Sequence, residues 1–137
     1  MVILDASAII AYLHNEPGWQ TVEPSILDAS AHASPVNIAE AAAKLIDRGV
    51  PADDALSSIA ILSLKLLPFA AQESAETARL RPPTRSRGLS LGDRACLATA
   101  RLHRMAVLTA DRPWLEFAKD LQLDIRCIRP DSGVANH

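Results

Sequence analysis

Four acidic residues in this chain, Asp5, Glu40, Asp93 and Asp111, occupy the same kind of local position. Each lies where a short apolar run gives way to a helix, or in the first turn of a helix that follows such a run. In an α/β fold these positions gather at the carboxyl ends of the strands, where ligands bind. Carboxylates that converge without matching basic residues repel one another, so the pattern predicts a bound hard cation, Mg²⁺ or Mn²⁺. Such a site suits metal-assisted phosphodiester chemistry.

Each acid also has a purely structural interpretation, in which it stabilises the start of a helix. Asp5 and Asp111 could cap the helices that begin just after them. Glu40 and Asp93 each stand three residues after a polar residue, at capping-box spacing. Four unrelated caps need not fall on four strand-to-helix junctions of one sheet, whereas a metal site requires it. The joint pattern therefore favours a metal site, and capping is compatible with it because a cap fixes the backbone that carries the carboxylate.

Polar residues beside the acids are candidates for supporting roles. Ser7 follows the first acid by two residues, Asn37 precedes the second by three, and Thr109 precedes the fourth by two. These side chains could orient a carboxylate or a metal-bound water, although hydroxyls in such positions more often bond to nearby backbone. Gly92, directly before the third acid, is expected to leave room for a ligand to approach closely.

Composition and charge set broad limits on the function. The 137 residues predict a single domain, and an apolar content of 49% is enough for one real core. A formal net charge of -2 gives no overall nucleic-acid signal. Residues 79–104, however, hold seven of the 14 basic side chains, all arginines, with Asp93 as the one acid. Arg85 and Arg87 could therefore bind nucleic-acid phosphates, while arginines spread over a solvated helix and loop explain the pattern at least as well.

Other composition signals indicate a reduced, cytoplasmic protein without a membrane segment. Cys96 and Cys127 lie in apolar surroundings without metal-binding or redox spacing, which is typical of small core residues. The four histidines are scattered and form no zinc pattern. The first predicted strand begins at Met1, so no signal peptide is expected before it. No apolar run reaches the roughly 20 residues of a membrane span.

Hydrophobic periodicity predicts strands that alternate with helices along the chain. The predicted strands cover residues 1–4, 32–34, 64–69, 106–108 and 125–128. The predicted helices cover residues 7–13, 19–27 with a break or kink at Pro24, 37–48, 51–62, 71–80, 91–103 and 113–119. Residues 82–88 are expected to form a loop, and residues 131–137 a frayed tail behind a single domain of residues 1–130. Such alternation predicts an α/β fold, with a mainly parallel sheet covered on both faces.

Four sequence motifs, in order, resemble those of the PIN-domain ribonucleases. They are residues 1–8 (MVILDASA), 36–40 (VNIAE), 88–98 (GLSLGDRACLA) and 108–112 (LTADR). The third motif is the most specific and, with the chain length, is similar to the VapC-type toxins of bacterial toxin–antitoxin pairs. The resemblance extends to about Ile128 and lacks none of the family's acids.

The resemblance implies a three-layer α/β sandwich with a five-stranded parallel sheet. It implies an Mg²⁺- or Mn²⁺-dependent endoribonuclease, in which Asp5, Glu40, Asp93 and Asp111 hold the metal and a metal-activated water cleaves the RNA. Carboxylate-bound divalent ions perform this chemistry without a protein nucleophile. The resemblance also implies a small VapB-type antitoxin as partner and a toxin homodimer.

Other functions remain as alternatives. A phosphotransferase of the haloacid-dehalogenase kind needs a second aspartate two residues after Asp5, where Ser7 stands. The strongest alternative from another class is a non-catalytic interaction module, in which the acids are helix caps and the arginines bind a partner. An apolar groove for a partner helix is expected on the first two helices and the fourth, lined by Tyr12, Leu13, Trp19, Val22, Ile26, Ile59 and Leu62.

Overall fold

Five short strands form one parallel sheet in the computed structural model, which describes residues 1–130. The strands are β1 Val2–Leu4, β2 Ala31–Ala33, β3 Lys65–Leu66, β4 Ala106–Thr109 and β5 Ile125–Cys127. Their order in the sheet is β3-β2-β1-β4-β5, and every neighbouring pair is parallel. The central pair aligns Leu4 with Leu108, so the residues that follow β1 and β4 meet at one edge. The predicted five-stranded parallel sheet is confirmed.

Helices cover both faces of this sheet. They are α1 Ala6–Leu13, α2 Trp19–Leu27, α3 Pro35–Asp47, α4 Ala52–Ile61, α5 Ala71–Arg79, α6 Arg81–Thr84, α7 Leu91–His103 and α8 Ala118–Leu121. Successive residues of a strand point to opposite faces. Accordingly, Leu4 packs with side chains of α1 to α4, whereas Ile3 packs with side chains of α7 and with Trp114. Within residues 1–130, no helix combines the length and the apolar character that crossing a membrane requires.

Several predicted elements differ from the observed ones. Residues 82–88 are not a loop but the end of α6 and a 3₁₀ turn, Arg85–Arg87. The two prolines of α6 lie in its first turn, where a missing N–H costs little, and the Thr84 hydroxyl donates to the Leu80 carbonyl at 2.6 Å. Residues 112–117 form a 3₁₀ helix before α8. The strand predicted at 64–69 shrinks to β3, because Pro68 cannot donate to a ladder.

The break predicted at Pro24 is absent, since α2 runs through it. Pro24 and Gln20 are both exposed, so water can bond to the Gln20 carbonyl that loses its intrahelical donor. Helix α3 begins at Pro35, two residues before the predicted start, because Ser34 caps it by accepting from the Val36 N–H at 3.2 Å. The tail predicted at residues 131–137 lies outside the described residues.

Candidate functional site

Asp5 is held at the end of β1 by three hydrogen bonds. As N-cap of α1, its Oδ1 accepts from the Ala8 N–H at 2.8 Å. The Ser7 hydroxyl donates to the same oxygen at 2.7 Å. The Thr109 hydroxyl, at the end of β4, donates to Oδ2 at 2.6 Å. The carboxylate is only 4% exposed and fixed in one orientation, and the capping interpretation of Asp5 is also correct.

The two hydroxyls that hold Asp5 also order the chain that follows β4. Thr109 Oγ1 accepts from the Asp111 N–H at 3.0 Å, and Ser7 Oγ accepts from the Ala110 N–H at 2.9 Å. The two hydroxyl oxygens are 3.4 Å apart. Ser7 and Thr109 therefore tie Asp5 to the backbone of Asp111. No side-chain cap bond forms from Asp111 to the 3₁₀ helix that follows it, so the predicted cap is wrong for this residue.

Glu40 is brought to the site by the packing of α3 against α7. Asn37 is fully buried inside α3 and does not cap that helix, so the capping-box interpretation of Asn37 and Glu40 is wrong. Its side-chain amide donates to the Gly92 carbonyl at 3.0 Å and, more weakly, to Glu40 Oε1 at 3.4 Å. This amide fixes the Glu40 carboxylate against the first turn of α7.

Asp93 takes part in a capping box at the start of α7. Ser90 Oγ accepts from the Asp93 N–H at 3.1 Å, and Asp93 Oδ2 accepts from the Ser90 N–H at 3.0 Å. The predicted capping box is therefore present, and the helix dipole further favours a carboxylate in this turn. Only one of its carboxylate oxygens is engaged by the cap, so the cap does not exclude a second role.

The electrostatics show that the four acids share one region. Burial, with a smaller contribution from the charge of Asp93, raises the pKa of Asp5 from 3.8 to about 6 against the effect of its three hydrogen bonds. Desolvation raises the pKa of Asp111, and Asp93 again adds to the rise. Burial raises the pKa of the Cys96 thiol well above its usual value, and the charges of Asp5, Asp93 and Glu40 add to this. The charges of Asp5, Asp93 and Glu40 thus all act on the Cys96 thiol, and the charge of Asp93 also acts on Asp111.

Basic side chains do not neutralise this cluster directly. In residues 1–130, none of the four acids takes part in an ion pair. Arg94 reaches away to the Thr77 carbonyl at 3.4 Å, and Arg112 bonds to the Arg129 carbonyl at 2.8 Å. The charges of Arg129 and Lys44 lower the pKa of Asp111 from a distance. In the described part of the chain, no three acids stand close enough to hold one ion together.

Two buried polar atoms near the site lack a partner within residues 1–130. They are Oδ1 of Asn37 and the indole nitrogen of Trp114. The Trp114 N–H opposes the rise in the pKa of Asp111, although it lies outside hydrogen-bond geometry. A buried acceptor such as the Asn37 oxygen carries a desolvation penalty, which a bound water or ligand would remove.

Arg85 and Arg87 lie on the exposed 3₁₀ turn before α7. Arg87 Nε donates to Glu116 Oε1 at 2.7 Å, which ties this turn to the segment that follows Asp111. Elsewhere in the arginine-rich segment, Arg79 and Arg101 are ion-paired with Glu76. Their charges are therefore partly neutralised, which weakens the prediction that this segment binds nucleic-acid phosphates.

Sequence reasoning missed two features of this site. One is Gly92, where the room predicted for a ligand is taken up by Glu40 itself, since a Cβ atom would lie 2.8 Å from both carboxylate oxygens. The other is the charge around Cys96, which lies in the hydrophobic core as predicted but also feels the charges of three acids. The spacing of three residues from Asp93 to Cys96 places both on one face of α7, and this signal could have shown their proximity.

Comparisons with known proteins agree with this geometry. The family model described as the PIN domain matches residues 2–120. No curated protein matches the chain at the sequence level. Among solved structures, a toxin–antitoxin complex from Klebsiella pneumoniae has a TM-score of 0.70 at 17% identity and covers 96% of this chain and 100% of that one.

Two further structures are similar over almost the same length. The VapBC2 complex from Rickettsia felis, bound to a DNA fragment from its promoter, has a TM-score of 0.68 at 15% identity and covers 93% of this chain and 98% of that one. FitAcB from Neisseria gonorrhoeae has a TM-score of 0.66 at 22% identity, with the same coverages of 93% and 98%. At these identities the likeness establishes the fold, and the family model establishes the family: the chain belongs to the PIN-domain family.

Proposed function

We propose that this chain is a divalent-metal-dependent endoribonuclease and the toxin of a toxin–antitoxin pair. The observation that carries the proposal is the electrostatic effect of the four acids on one another and on Cys96, although no three of them stand close enough in the described residues to hold one ion. None of them is ion-paired in the described residues, and Asp93 raises the pKa of both Asp5 and Asp111. Carboxylates that repel one another are stabilised by a positive charge, and a divalent cation would supply it.

The chemistry of the side-chain donors matches a hard cation. Asp5, Glu40, Asp93 and Asp111 offer only oxygen donors, which Mg²⁺ and Mn²⁺ prefer. Asp93 keeps one carboxylate oxygen outside its cap, and the buried Asn37 Oδ1 is a further oxygen without a donor in residues 1–130. When bound, the ion would activate water and stabilise negative charge on the scissile phosphate.

The chain's own residues have separate tasks in this reaction. Hydrolysis adds a water oxygen to phosphorus and releases the sugar oxygen, which takes up a proton. Ser7 and Thr109 hold Asp5 in one orientation, so its charge does not need to reorganise. Cys96 does not serve as a nucleophile, because it is buried and its raised pKa keeps the thiol protonated.

The alternative of a non-catalytic module explains only part of the site. Helix capping accounts for Asp5 and Asp93. It does not account for Glu40, which lies inside α3, or for Asp111, whose side chain makes no cap bond. A nuclease requires all four, so it is the better explanation.

RNA is proposed as the substrate from the resemblance to the PIN-domain ribonucleases. Arg85 and Arg87 are proposed to bind its phosphates; the Arg87–Glu116 ion pair, which links their turn to the 3₁₀ helix that begins directly after Asp111, supports this. Guanidinium groups suit phosphate oxygens in geometry and charge.

A small antitoxin is proposed as the partner, because the similar structures are toxin–antitoxin complexes. The groove expected for it needs correction: Val22 and Ile59 are buried, while Tyr12, Leu13, Ile26 and Leu62 pack against the core. A different groove of about 200 Å³ lies beside β3, lined by Ile38, Leu56, Ile59, Ala60, Ser63, Leu64 and Leu66. A homodimer and a cytoplasmic location are proposed from the family resemblance alone.

Asp5→Asn and Asp93→Asn should each lower RNA cleavage by at least about a hundredfold while the protein stays folded. Asparagine keeps the volume and the capping ability but lacks the charge that attracts a cation. The measurement is cleavage of labelled RNA with Mg²⁺ or Mn²⁺, and with excess chelator, which should stop the wild type. Asp124→Asn, which removes an exposed acid paired with Arg126, is the matched control. Cleavage that persists in chelator would disprove the metal mechanism.

The raised pKa of Asp5 predicts how pH changes the stability of the metal-free protein. Its pKa is about 6 in the fold against 3.8 ordinarily, so between these values the folded state binds more protons than the unfolded state. The free energy of unfolding should therefore fall as pH rises through this window, by up to about 3 kcal/mol from this group. Denaturation in chelator at about pH 4 and about pH 7 measures the loss, and Asp5→Asn should remove it. Parallel pH profiles for the two proteins would contradict the argument.

Replacing Arg85 and Arg87 together by alanine should weaken RNA binding and reduce its dependence on salt. The logarithm of the affinity falls with the logarithm of the salt concentration, and each lost phosphate contact makes this fall less steep by roughly 0.7 to 0.9. Arg79→Ala with Arg126→Ala removes the same charge from other elements and is the control. Glu116→Gln, which releases Arg87 from its ion pair, should instead strengthen binding. If the salt dependence of RNA binding is unchanged when Arg85 and Arg87 are replaced, these two arginines are ordinary solvated surface residues.

Co-expression with the product of the adjacent upstream reading frame should give a complex in which RNA cleavage is suppressed. Leu56→Asp, at a half-exposed position of the groove beside β3, should break that complex. Leu27→Asp, at an exposed position at the end of α2, is the control and should leave it intact. Size-exclusion chromatography and the cleavage assay measure both effects. A chain that stays alone and is harmless when expressed by itself would not be such a toxin.

A further inference from the structure

Gly92 lies where the two helices that carry Glu40 and Asp93 are in contact. It is the second residue of α7 and is buried. A Cβ atom at this position would lie 2.8 Å from Glu40 Oε1, 2.8 Å from Oε2 and 2.9 Å from Cδ. Real Cβ atoms essentially never make contacts this short. The Glu40 carboxylate therefore occupies the space that any other residue at position 92 would fill.

A second contact fixes the same arrangement. The buried amide of Asn37 donates to the Gly92 carbonyl at 3.0 Å and to Glu40 Oε1 at 3.4 Å. Asn37 thus links α3 to the first turn of α7, and the missing side chain at Gly92 leaves room for the Glu40 carboxylate between the two helices. Glycine is unfavourable inside a helix compared with alanine, and its φ angle here is not one that requires glycine. The local backbone gives no reason for it, whereas the contact with Glu40 does.

We propose that Gly92 is a positioning residue, whose lack of a side chain places the Glu40 carboxylate beside Asp93. The proposal rests on the proposed metal-dependent function, in which Glu40 is a ligand. The atoms in the way are the end of a flexible side chain rather than backbone. Gly92→Ala therefore displaces Glu40 and leaves the two helices in place.

The first experiment does not involve metal or RNA. The crystal structure of metal-free Gly92→Ala should show the backbones of α3 and α7 unchanged and the Glu40 carboxylate moved away from residue 92. A carboxylate that stays in place overturns the proposal, whatever the protein's function. If Gly92→Ala fails to fold, Gly92→Ala with Glu40→Ala should fold, because the obstructing side chain is gone. A double variant that also fails to fold overturns the proposal.

The second experiment measures Mn²⁺ affinity by calorimetry on the full chain. Gly92→Ala should weaken Mn²⁺ binding about tenfold, as is usual for residues that orient a ligand. In the Glu40→Gln background the same substitution should have almost no further effect, because residue 92 acts through Glu40. Equal losses in both backgrounds would mean that Gly92 acts independently of Glu40, which overturns the proposal. Absence of Mn²⁺ binding by the wild type would instead refute the proposed function, and the crystal structure would still decide the role of Gly92.

Discussion

The repulsion among carboxylates at one edge of the sheet is the constraint on which the rest of the site depends. The parallel pairing of β1 with β4 brings Asp5 to Thr109, and the packing of α3 on α7 brings Glu40 to the turn that holds Asp93. These contacts place a buried carboxylate, Asp5, in a region that also holds the half-buried Glu40 and Asp93 and the exposed Asp111. Acids that repel one another reduce stability, so their presence together indicates a task other than folding.

The fold offsets this cost with hydrogen bonds rather than with ion pairs. Asp5 accepts three donors, and Asp93 is stabilised by the Ser90 capping box at the start of α7. Donors of this kind stabilise a carboxylate without neutralising it. An arginine at the same place would remove the repulsion but would also compete with a cation. The arginines of the neighbouring motifs instead turn to backbone carbonyls, as Arg94 and Arg112 do.

Much of the fold could be predicted from sequence, because short apolar runs that alternate with amphipathic segments leave few arrangements besides a parallel sheet between helices. Asp5 and Asp111 could be located for the same reason, since each directly follows a strand, whereas Glu40 lies inside α3 and Asp93 opens a helix that follows α6 and a 3₁₀ turn. Local geometry that depends on distant contacts could not be predicted. Asn37 reads as a cap in sequence but is buried in α3, because its partner Gly92 lies 55 residues further along the chain. Likewise, nothing in residues 85–87 alone indicates that Arg87 pairs with Glu116.

The site is built as two halves with separate supports. Hydroxyls of Ser7 and Thr109 organise the half that contains Asp5 and Asp111, through bonds that cross from β1 to β4. An amide and a glycine organise the half that contains Glu40 and Asp93, through the contact of α3 with α7.

Among residues 1–130, no hydrogen bond links the carboxylates of one half to those of the other. The two halves interact instead through the charge of Asp93, which raises the pKa of Asp5 and of Asp111. That interaction is repulsive. A cation held by both would turn the same charges into the link between them. Binding and ordering of the site would then be one event, and the two rigid supports would limit how far each half has to move.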